Sequence, residues 1–430
     1  MWKDNPMNIV EKILYSHSVE KTGYVEPGDI VRVKVDLAVL LDMAGLHPEF
    51  LKNPPKSVFD PEKVAIVFDH FVPAPTTDVA DGNRKIRKLV NRWGVKNFYD
   101  YGMGGISHAL LAEKGLISPG MIISNTDSHT IAMGTYNSLG RGLGMPELMQ
   151  VLCTGETWYI VGNTIKINLE GRMSPGTEAK DVFLRMAQDI GNVTDNNIEF
   201  HGTGIGSLSI DERAVISTMC AELGAEFAVF PHDDVLKKYL DGQGLSSKGK
   251  VDPDTDAVYE SEYYIDLSEL EPMVALPDFV SRNVKTVSEV GDAHIDQATI
   301  GSCANGRLHD LEIAARVLKG KKVNKGTRLI VTPATQEIYR KSLSLGYIRD
   351  ITEAGGIVTN ATCGSCFGGH MGLLGDGEIA ITSTTRNFKG RMGSRNARIF
   401  MASSATVAAS AIEGKIADPR KYLGVARSVN

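Results

Sequence analysis

The sequence predicts an α/β fold built from three-layer domains with parallel sheets. From Ala293 onward strands and helices alternate: "QATIG" precedes the helical "LHDLEIAARVLKG", and "RLIVTP", "QEIYRKSLSL" and "GIVTN" continue the series. Leu308, Leu311, Ala315 and Leu318 fall on one face of the first of these helices. Upstream, apolar runs typical of buried strands end in polar clusters. Alternation of this kind is typical of a parallel sheet with helices on both faces.

The composition is that of a globular protein from a reducing compartment. The chain has 430 residues, 42 % hydrophobic and 23 % charged, which is enough for two or three domains. Five cysteines argue against a secreted disulfide framework and favour a cytoplasmic location. A formal charge of −6 with mixed signs excludes a nucleic-acid footprint. No run approaches a membrane span, and the N-terminal apolar residues are spaced as in an amphipathic helix rather than a signal peptide.

Polar residues directly follow two apolar runs in the first part of the chain. "KVAIVFDHF" ends in Asp69 and His70, and "GMIISNTDSHT" ends in Asp127, Ser128 and His129. In open α/β sheets ligands collect at the carboxyl ends of strands, so these residues are candidates for a site. On the residues alone, a strand-end carboxylate beside a surface imidazole explains the first pair equally well.

Changes in composition suggest where domains begin and end. "NTIKINLEGR" (163–172) starts a new unit, followed by a helix through "TEAKDVFLRMAQDI" and another from Asp211 to about Leu223. The segment 252–290 is acidic and punctuated by prolines, which is typical of a linker. The predicted domains are 1–163, 164–285 (including the linker) and 286–430.

Three cysteines lie in turns that follow predicted strands. Cys363 and Cys366 are two residues apart, and Cys303 lies between a strand and a helix. The spacing leaves two metal sites open: an iron–sulfur cluster, or a Cys₃His zinc site completed by His370. A thioredoxin-like dithiol is less favoured because no helical pattern follows the pair. The other two cysteines are predicted to be buried free thiols that hold no metal: Cys153 and Cys220.

Four motifs, in this order, resemble the aconitase superfamily: "NTDSHT", "IGSCANGR", "ATCGSCFGGHMG" and "STTRNFKGRMG". The match runs from about Asp69 to the C-terminus. It is most similar to the large-subunit chains of isopropylmalate dehydratase and homoaconitase-type hydro-lyases. The resemblance implies three aconitase-type α/β/α domains around a central cluster-containing cleft, without the fourth, swivelling domain.

The resemblance also implies a cofactor and a reaction. Cys303, Cys363 and Cys366 would hold a 4Fe–4S cluster with one open iron, a Lewis acid for a departing hydroxyl group. A closed four-ligand zinc site could not bind substrate. The implied reaction is the isomerisation of 2-isopropylmalate to 3-isopropylmalate through isopropylmaleate, a step of leucine biosynthesis. Homoaconitate and 2,3-dimethylmalate are alternative substrates, and a non-enzymatic zinc-binding protein is the alternative from another class.

Further site residues are carried over from the family motifs. Asp69 would orient and charge His70 so that it can donate a proton to the leaving hydroxyl. The implied catalytic residues are Asp69, His70, His108 paired with Asp127, His129 and Glu222. The implied substrate-binding residues are Ser128, Arg386 and Arg391. Ordinary explanations compete with these roles, since solvated helix glutamates and exposed arginines are common.

The chain departs from the family pattern at several positions. Thr218 and Thr385 replace asparagines that lie near the cluster in the family, and Ala304 replaces a threonine. "VDLAVLLDM" stands where the family has a polar substrate-binding segment. The serine base and the remaining substrate arginines are expected on a separate small subunit, which predicts a hetero-oligomer.

Overall fold

The computed structural model describes residues 5–21 and 23–424 of the chain. Its contacts divide the protein into two compact units: unit 1 is Met1–Leu169 with Val193–Tyr264, and unit 2 is Glu170–Asn192 with Ile265–Asn430. The division into three domains stays a prediction, and its outer limits, residues 1 and 430, lie outside the described residues. Among the described helices, none is both long enough and apolar enough to cross a membrane.

The described residues form eighteen short strands. The strands are β1 (Ile30–Lys34), β2 (Leu37–Leu41), β3 (Val64–Val67), β4 (Asn97–Tyr99), β5 (Ile122–Asn125), β6 (Leu139–Gly142), β7 (Glu156–Ile160), β8 (Thr164–Glu170), β9 (Asn197–His201), β10 (Ala228–Val229), β11 (Ser261–Asp266), β12 (Met273–Ala275), β13 (Val284–Thr286), β14 (Gln297–Gly301), β15 (Arg328–Thr332), β16 (Ile357–Val358), β17 (Ile379–Thr382) and β18 (Arg398–Ala402).

Helices connect most of these strands. The α-helices are α1 (Ile9–His17), α2 (Pro48–Lys52), α3 (Thr77–Trp93), α4 (Ser107–Glu113), α5 (Met145–Thr154), α6 (Ala179–Asp189), α7 (Ile210–Met219), α8 (Asp234–Gly242), α9 (Val287–Val290), α10 (Ser302–Asn305), α11 (Leu308–Leu318), α12 (Gln336–Ser344), α13 (Tyr347–Glu353), α14 (Ser404–Glu413) and α15 (Arg420–Leu423). Short 3₁₀ helices cover Asp42–Leu46, Pro61–Lys63, Ser128–Tyr136, Thr203–Ser207, Cys220–Leu223, Leu267–Glu269 and Gly364–Phe367.

Unit 1 contains a five-stranded parallel sheet in the order β4-β3-β2-β5-β6. Its strands are apolar and buried; every residue of β2 and β3 is inaccessible to solvent or nearly so. Because the chain order runs outward in both directions from β2 and β5, these two strands flank a topological switch point. The turns after β2, β3 and β5 leave the same carboxyl edge, where a ligand site is expected.

The helix α3 lies very close to the turn after β2. A methyl group added at Gly45 would come within 2.8 Å of the backbone carbon of Gly82 in α3. Only glycines allow the two backbones to approach this closely. This contact supports the turn that begins with Asp42. Two further sheets in the described part of the chain are the antiparallel pair β1-β7 and a four-stranded sheet in the order β10-β9-β8-β11.

Unit 2 is built on a seven-stranded sheet in the order β13-β12-β18-β17-β14-β15-β16. The strands from β18 to β16 are parallel, and β12 and β13 extend the sheet antiparallel. The alternation predicted from Ala293 is confirmed in β14, α11, β15, α12 and β16. The linker expected over 252–290 instead contributes β11, β12 and β13. Pro272 and Pro277 bound the buried strand β12 rather than marking a linker, since proline is tolerated at strand ends.

Candidate active site

Asp69 and His70 form a buried hydrogen-bonded pair at the carboxyl edge of the five-stranded sheet. The Nδ1 atom of His70 is 2.8 Å from Oδ1 of Asp69, whose side chain is fully buried. The other oxygen of Asp69 accepts a 3.0 Å hydrogen bond from the backbone nitrogen of Ser107, the first residue of α4. Both carboxylate oxygens are therefore fixed, and the imidazole is not the surface group that the ordinary explanation requires.

His70 is held in its charged form. Burial alone would lower its pKa, but the adjacent Asp69 carboxylate outweighs burial through charge and hydrogen bonding. Asp127 and Asp42 add to the effect, and the pKa of His70 is raised to about 10. A buried imidazole in this state carries a proton at neutral pH and is a competent general acid.

Asp127, His129 and Glu222 continue this network. The backbone nitrogen of His129 donates to Oδ1 of Asp127 at 2.7 Å. The Nε2 atom of the same histidine is 2.8 Å from Oε1 of Glu222. Nε2 of His70 is 3.8 Å from Oδ2 of Asp127. The side chains of Asp69, His70, Asp127, His129 and Glu222 thus form one connected run within unit 1.

Charges within the run set its protonation. Burial opposes the ionisation of Asp127, but the hydrogen bond with His129 holds the pKa of Asp127 well below its usual range. The imidazoles of His108 and His70 add to this effect. Burial would lower the pKa of His129, yet its hydrogen bonds to Asp127 and Glu222 raise it. Negative carboxylates and positive imidazoles therefore alternate and stabilise one another.

The position of Glu222 depends on how α7 packs. The hydroxyl of Ser217 on α7 donates to the carbonyl oxygens of Ile131 at 3.0 Å and Ala228 at 2.8 Å. A 3₁₀ turn, Cys220–Leu223, then extends the helix and ends at Gly224, which has φ +82°. This packing sets the 3₁₀ turn beside the segment that begins at Ser128, so Glu222 meets His129 instead of solvent.

His108 and Ser128 occupy contrasting surroundings. His108 is 1 % exposed on α4, and its charge helps to lower the pKa of Asp127. Ser128 is exposed although its neighbours Asp127 and His129 are buried. A ligand can therefore reach the Ser128 hydroxyl at the edge of the network.

Asp42 is a site residue that sequence reasoning missed. It is 1 % exposed, and its carboxylate accepts hydrogen bonds from the backbone nitrogens of His70 at 3.2 Å and Phe71 at 2.7 Å. Burial and the charge of Asp69 raise the pKa of Asp42 to about 6. The sequence does contain a signal for Asp42. Asp42 directly follows the buried strand β2, and Asp69 lies two residues after the end of β3.

The three predicted cluster cysteines all lie in unit 2 as buried free thiols: Cys303, Cys363 and Cys366. A hydrogen bond between Cys363 and Cys366 holds the pKa of Cys366 well below its usual range. Arg391 and Thr385 contribute, with Arg391 Nη2 at 4.0 Å and Thr385 Oγ1 at 3.4 Å from the Cys366 sulfur. The pair is therefore set up for a thiolate.

The two cysteine loops leave the same edge of the seven-stranded sheet. Cys303 follows β14, and the Cys363 loop follows β16; both strands are parallel neighbours of β15. Thr332 ends β15, pairs with Gly301, and lies 3.0 Å from a methyl group built on Gly364. Both loops thus approach Thr332, as the predicted sheet edge requires.

The residues of these loops fit an iron–sulfur cluster. Within the part of the chain that the structure describes, three buried polar atoms there have no hydrogen-bond partner: Ser302 Oγ, Asn305 Oδ1 and Ser365 Oγ. A buried polar atom without a partner calls for an explanation, and a group bound between these loops would provide one. Thiolates are the soft ligands that such clusters select. The donor set and its surroundings therefore suit the implied cofactor.

The remaining predicted residues have varied environments. Cys153 is exposed at the end of α5, which corrects the prediction that it is buried. Cys220 is buried in unit 1, and its sulfur donates to the carbonyl oxygen of Ile216. His370 is half-buried with its ring edge-on to Phe367, the centroids 5.6 Å apart. The substrate-binding candidates Arg386 and Arg391 are half-buried on the loop after β17.

Together these features define an α/β enzyme with acid–base groups at the carboxyl edge of a doubly wound sheet. Comparison with known proteins gives the family. The sequence model described as "Aconitase family (aconitate hydratase)" matches residues 11–414. The chain belongs to the aconitase family. The predicted aconitase-type fold and hydro-lyase class are confirmed by this match and by the relatives below.

The chain is similar to curated proteins over nearly its whole length. It is 49 % identical to the "3-isopropylmalate dehydratase large subunit" of Mycolicibacterium smegmatis, covering 97 % of this chain and 98 % of that protein. It is 40 % identical to the "3-isopropylmalate dehydratase large subunit 1" of Methanopyrus kandleri, covering 96 % and 99 %. The solved holo-form of Thermococcus kodakaraensis aconitase X is similar in fold, with a TM-score of 0.50, 13 % identity and coverage of 85 % and 88 %.

Proposed function

We propose that this chain is the large catalytic subunit of an iron–sulfur hydro-lyase that interconverts 2-isopropylmalate and 3-isopropylmalate through isopropylmaleate. The observation that carries the proposal is the 49 % identity, over 97 % of this chain, to a protein named for that reaction. The acid–base run of unit 1 and the thiols of unit 2 supply the two chemical functions that it requires.

The first requirement is a proton for the leaving hydroxyl. Hydroxide is a poor leaving group, so a positioned acid that protonates it speeds the reaction by about 10²–10⁴-fold. His70 suits this role because Asp69 fixes its ring and keeps it charged. Asp127, at 3.8 Å from Nε2 of His70, restrains the ring from the other side.

The second requirement is a group that polarises the carbon–oxygen bond. Cys303, Cys363 and Cys366 would hold a 4Fe–4S cluster, with Ser302, Asn305 and Ser365 contributing the polar atoms beside it. When bound, the open iron of such a cluster supplies a Lewis acid. By the family resemblance, His129 and Glu222 would orient groups of the substrate.

Substrate carboxylates need cationic partners. Arg386 and Arg391 offer guanidinium forks that match a diacid, and the exposed Ser128 hydroxyl can donate a further hydrogen bond. We assign these three residues to substrate binding.

A partner is part of the proposal. The similar proteins are named large subunits, which supports a small subunit and a hetero-oligomer for this chain as well. That subunit would carry the swivelling domain with the serine that removes the carbon-bound proton. A base on a separate body also lets a site open for substrate and close for chemistry.

Homoaconitate and 2,3-dimethylmalate stay as alternative substrates because of Thr218 and Thr385. Thr218 is fully buried, and its hydroxyl has no hydrogen-bond partner among the described residues. A shorter side chain at an asparagine position alters the space and the donors near the reacting group. This difference supports testing all three diacids.

The decisive test is reconstitution. The chain is loaded with iron and sulfide without oxygen, and hydration and dehydration are assayed with and without a small subunit. We expect a brown protein, little turnover alone, and turnover of 2-isopropylmalate with the subunit. One tightly bound zinc and no cluster would support the structural zinc protein instead. A preference for another diacid would change the substrate assignment. Full turnover by the chain alone would exclude the two-subunit proposal.

A further inference from the structure

The turn after β17 touches both cysteine loops of unit 2. We name residues 382–385 the threonine turn; all four are buried, none more than 1 % exposed. Its Ser383 hydroxyl accepts a 3.1 Å hydrogen bond from the backbone nitrogen of Gly301, next to the first cysteine loop. Its Thr385 hydroxyl is 3.4 Å from the sulfur of Cys366 in the second loop. The threonine turn therefore links the two loops.

The threonine turn is anchored on both sides. The backbone nitrogen of Ser383 and the hydroxyl of Thr382 donate to the carbonyl oxygen of Thr299 on β14, at 2.9 Å and 3.3 Å. On the other side, Nζ of Lys180 donates to the carbonyl oxygen of Thr384 at 3.2 Å. Lys180 lies on α6 and is fully buried. Burying a lysine is costly unless its amine is well used, so its position calls for a role.

We propose that Lys180 is a positioning residue that holds the threonine turn so that Thr385 donates a hydrogen bond to Cys366. A metal-bound thiolate carries no proton, so the Thr385 hydroxyl must be the donor in the loaded protein. Lys180 fixes the carbonyl immediately before Thr385 and thereby the direction of that residue's hydroxyl. The inference rests on the proposed function, because it assigns Thr385 a role toward the cluster.

A hydrogen bond to a ligand sulfur favours the more negatively charged, reduced cluster, and it is one of the factors that set a cluster's reduction potential. Losing the bond therefore shifts the potential to a more negative value. In this proposal Lys180 acts on the reduction potential through the Thr385 hydroxyl. The backbone N–H of Thr385, which also bonds the Cys366 sulfur, is common to every variant. The effects of removing the two groups are consequently not additive, which separates positioning from a through-space effect of the lysine charge.

The test measures the midpoint potential of the reconstituted full chain by a dye-mediated titration followed by electron paramagnetic resonance. Thr385→Val removes the hydroxyl at nearly constant shape, and Thr385→Ser retains it. Lys180→Met removes the amine, and the double variant closes the cycle. Lys415→Met, a half-exposed lysine that pairs with Asp292, is the matched control. Iron content and thermal unfolding are recorded for each protein.

We expect negative shifts in Thr385→Val and Lys180→Met, wild-type potentials in Thr385→Ser and Lys415→Met, and a double variant no lower than Thr385→Val alone. A wild-type potential in Lys180→Met, or a double variant that equals the sum of the single shifts, overturns the inference. If Lys180→Met unfolds, a wild-type potential in Thr385→Val overturns it by itself. A wild-type chain that takes up no cluster removes the proposed function and this inference together, whereas a clustered wild type with unshifted variants removes the inference alone.

Discussion

The two units both place candidate functional residues at the carboxyl edge of a parallel sheet. They differ in how many of these residues' polar atoms have hydrogen-bond partners within the protein. In unit 1 the acid–base residues satisfy one another: Asp69 binds His70 at 2.8 Å, and His129 binds Glu222 at 2.8 Å. In unit 2, buried atoms such as Ser302 Oγ and Ser365 Oγ have no partner among the described residues. The Asp69–His70 and His129–Glu222 pairs are thus preorganised by the protein alone, although the buried Thr218 hydroxyl of unit 1 also has no partner among the described residues. The thiol loops leave several polar atoms together for a bound group to satisfy.

This difference makes a general point about such sites. Buried charges are tolerated in unit 1 because opposite charges alternate, so each imidazole stabilises a carboxylate. A neutral thiol is apolar enough to be buried without a partner. The Cys366 sulfur, whose pKa is lowered, is instead stabilised as a thiolate by Cys363, Arg391 and Thr385. Variants in unit 1 should therefore change rates and protonation, and variants in unit 2 should change what the protein binds.

The largest expected effect is in unit 2. Cys363→Ser should abolish cluster binding and activity together, because a hydroxyl is a poor substitute for a soft thiolate ligand. Iron and acid-labile sulfide are measured beside turnover in the presence of the small subunit. Cys153→Ser, at an exposed thiol of unit 1, is the control and should resemble wild type. Full cluster absorbance in Cys363→Ser would show that Cys363 is not a cluster ligand, and the proposed role of the unit 2 loops would be wrong.

Next in size is a change at the proton donor of unit 1. His70→Ala should lower kcat by about 10²–10⁴-fold while the iron content stays at the wild-type level. His294→Ala, at an exposed histidine paired with Asp296, should leave both quantities unchanged. Unchanged kcat with an intact cluster would exclude His70 from the chemistry. Loss of iron in His70→Ala would mean that the acid–base residues of unit 1 also affect cluster binding by the unit 2 cysteines.

A smaller effect is expected at the far end of the network. The hydrogen bond and charge of Glu222 help to raise the pKa of His129. Glu222→Gln keeps the shape but removes the charge, so the pKa of His129 should fall. Titration of the histidine side-chain signals by nuclear magnetic resonance measures this directly in the isolated chain. An unchanged His129 titration would show that Asp127 alone controls this imidazole.

Much of the candidate site could be predicted from the sequence. The predictions that failed did so for physical reasons. Polar residues after buried strands pointed to Asp69 and Asp127, because strand ends in parallel sheets share an edge. Asp42 obeys the same rule but was overlooked within an apolar segment, since its partners are backbone nitrogens 28 and 29 residues away. The roles of Glu222 and His129 depended on the resemblance, because their meeting is set by the packing of α7, which no local pattern records.

The segment 252–290 shows the opposite error. Acidic residues and prolines predict a linker from local composition, yet β11 and β12 of this segment pair with strands distant in sequence. The backbone of Val274 pairs with Ala402, and such pairing overrides local preference. The exposure of Cys153 has a different cause. Apolar residues before Cys153 on α5 face the core, whereas Cys153 lies on another face of the same helix.

The preorganisation of unit 1 should also make the stability of the protein depend on pH. In the folded protein the pKa of His70 is about 10, against an ordinary value of 6.5. A raised pKa means that the folded state binds the proton more tightly than the unfolded state. The stabilisation by His70 is therefore complete below about pH 6.5 and is lost as the pH rises through about 10.

His70→Gln removes this linkage while keeping a polar side chain beside Asp69. Below pH 6.5 the His70 imidazole is protonated in both the folded and the unfolded chain, so its own titration adds no pH dependence there. Between pH 6.5 and 10 the difference in unfolding free energy between wild type and His70→Gln should shrink by at most about 1.4 kcal/mol per pH unit. Urea unfolding of the cluster-free chain at a series of pH values measures it, and the exposed His294→Gln should show no such dependence. A difference that stays flat across the window would mean that His70 is not held charged by Asp69, and that unit 1 needs a bound group as much as unit 2 does.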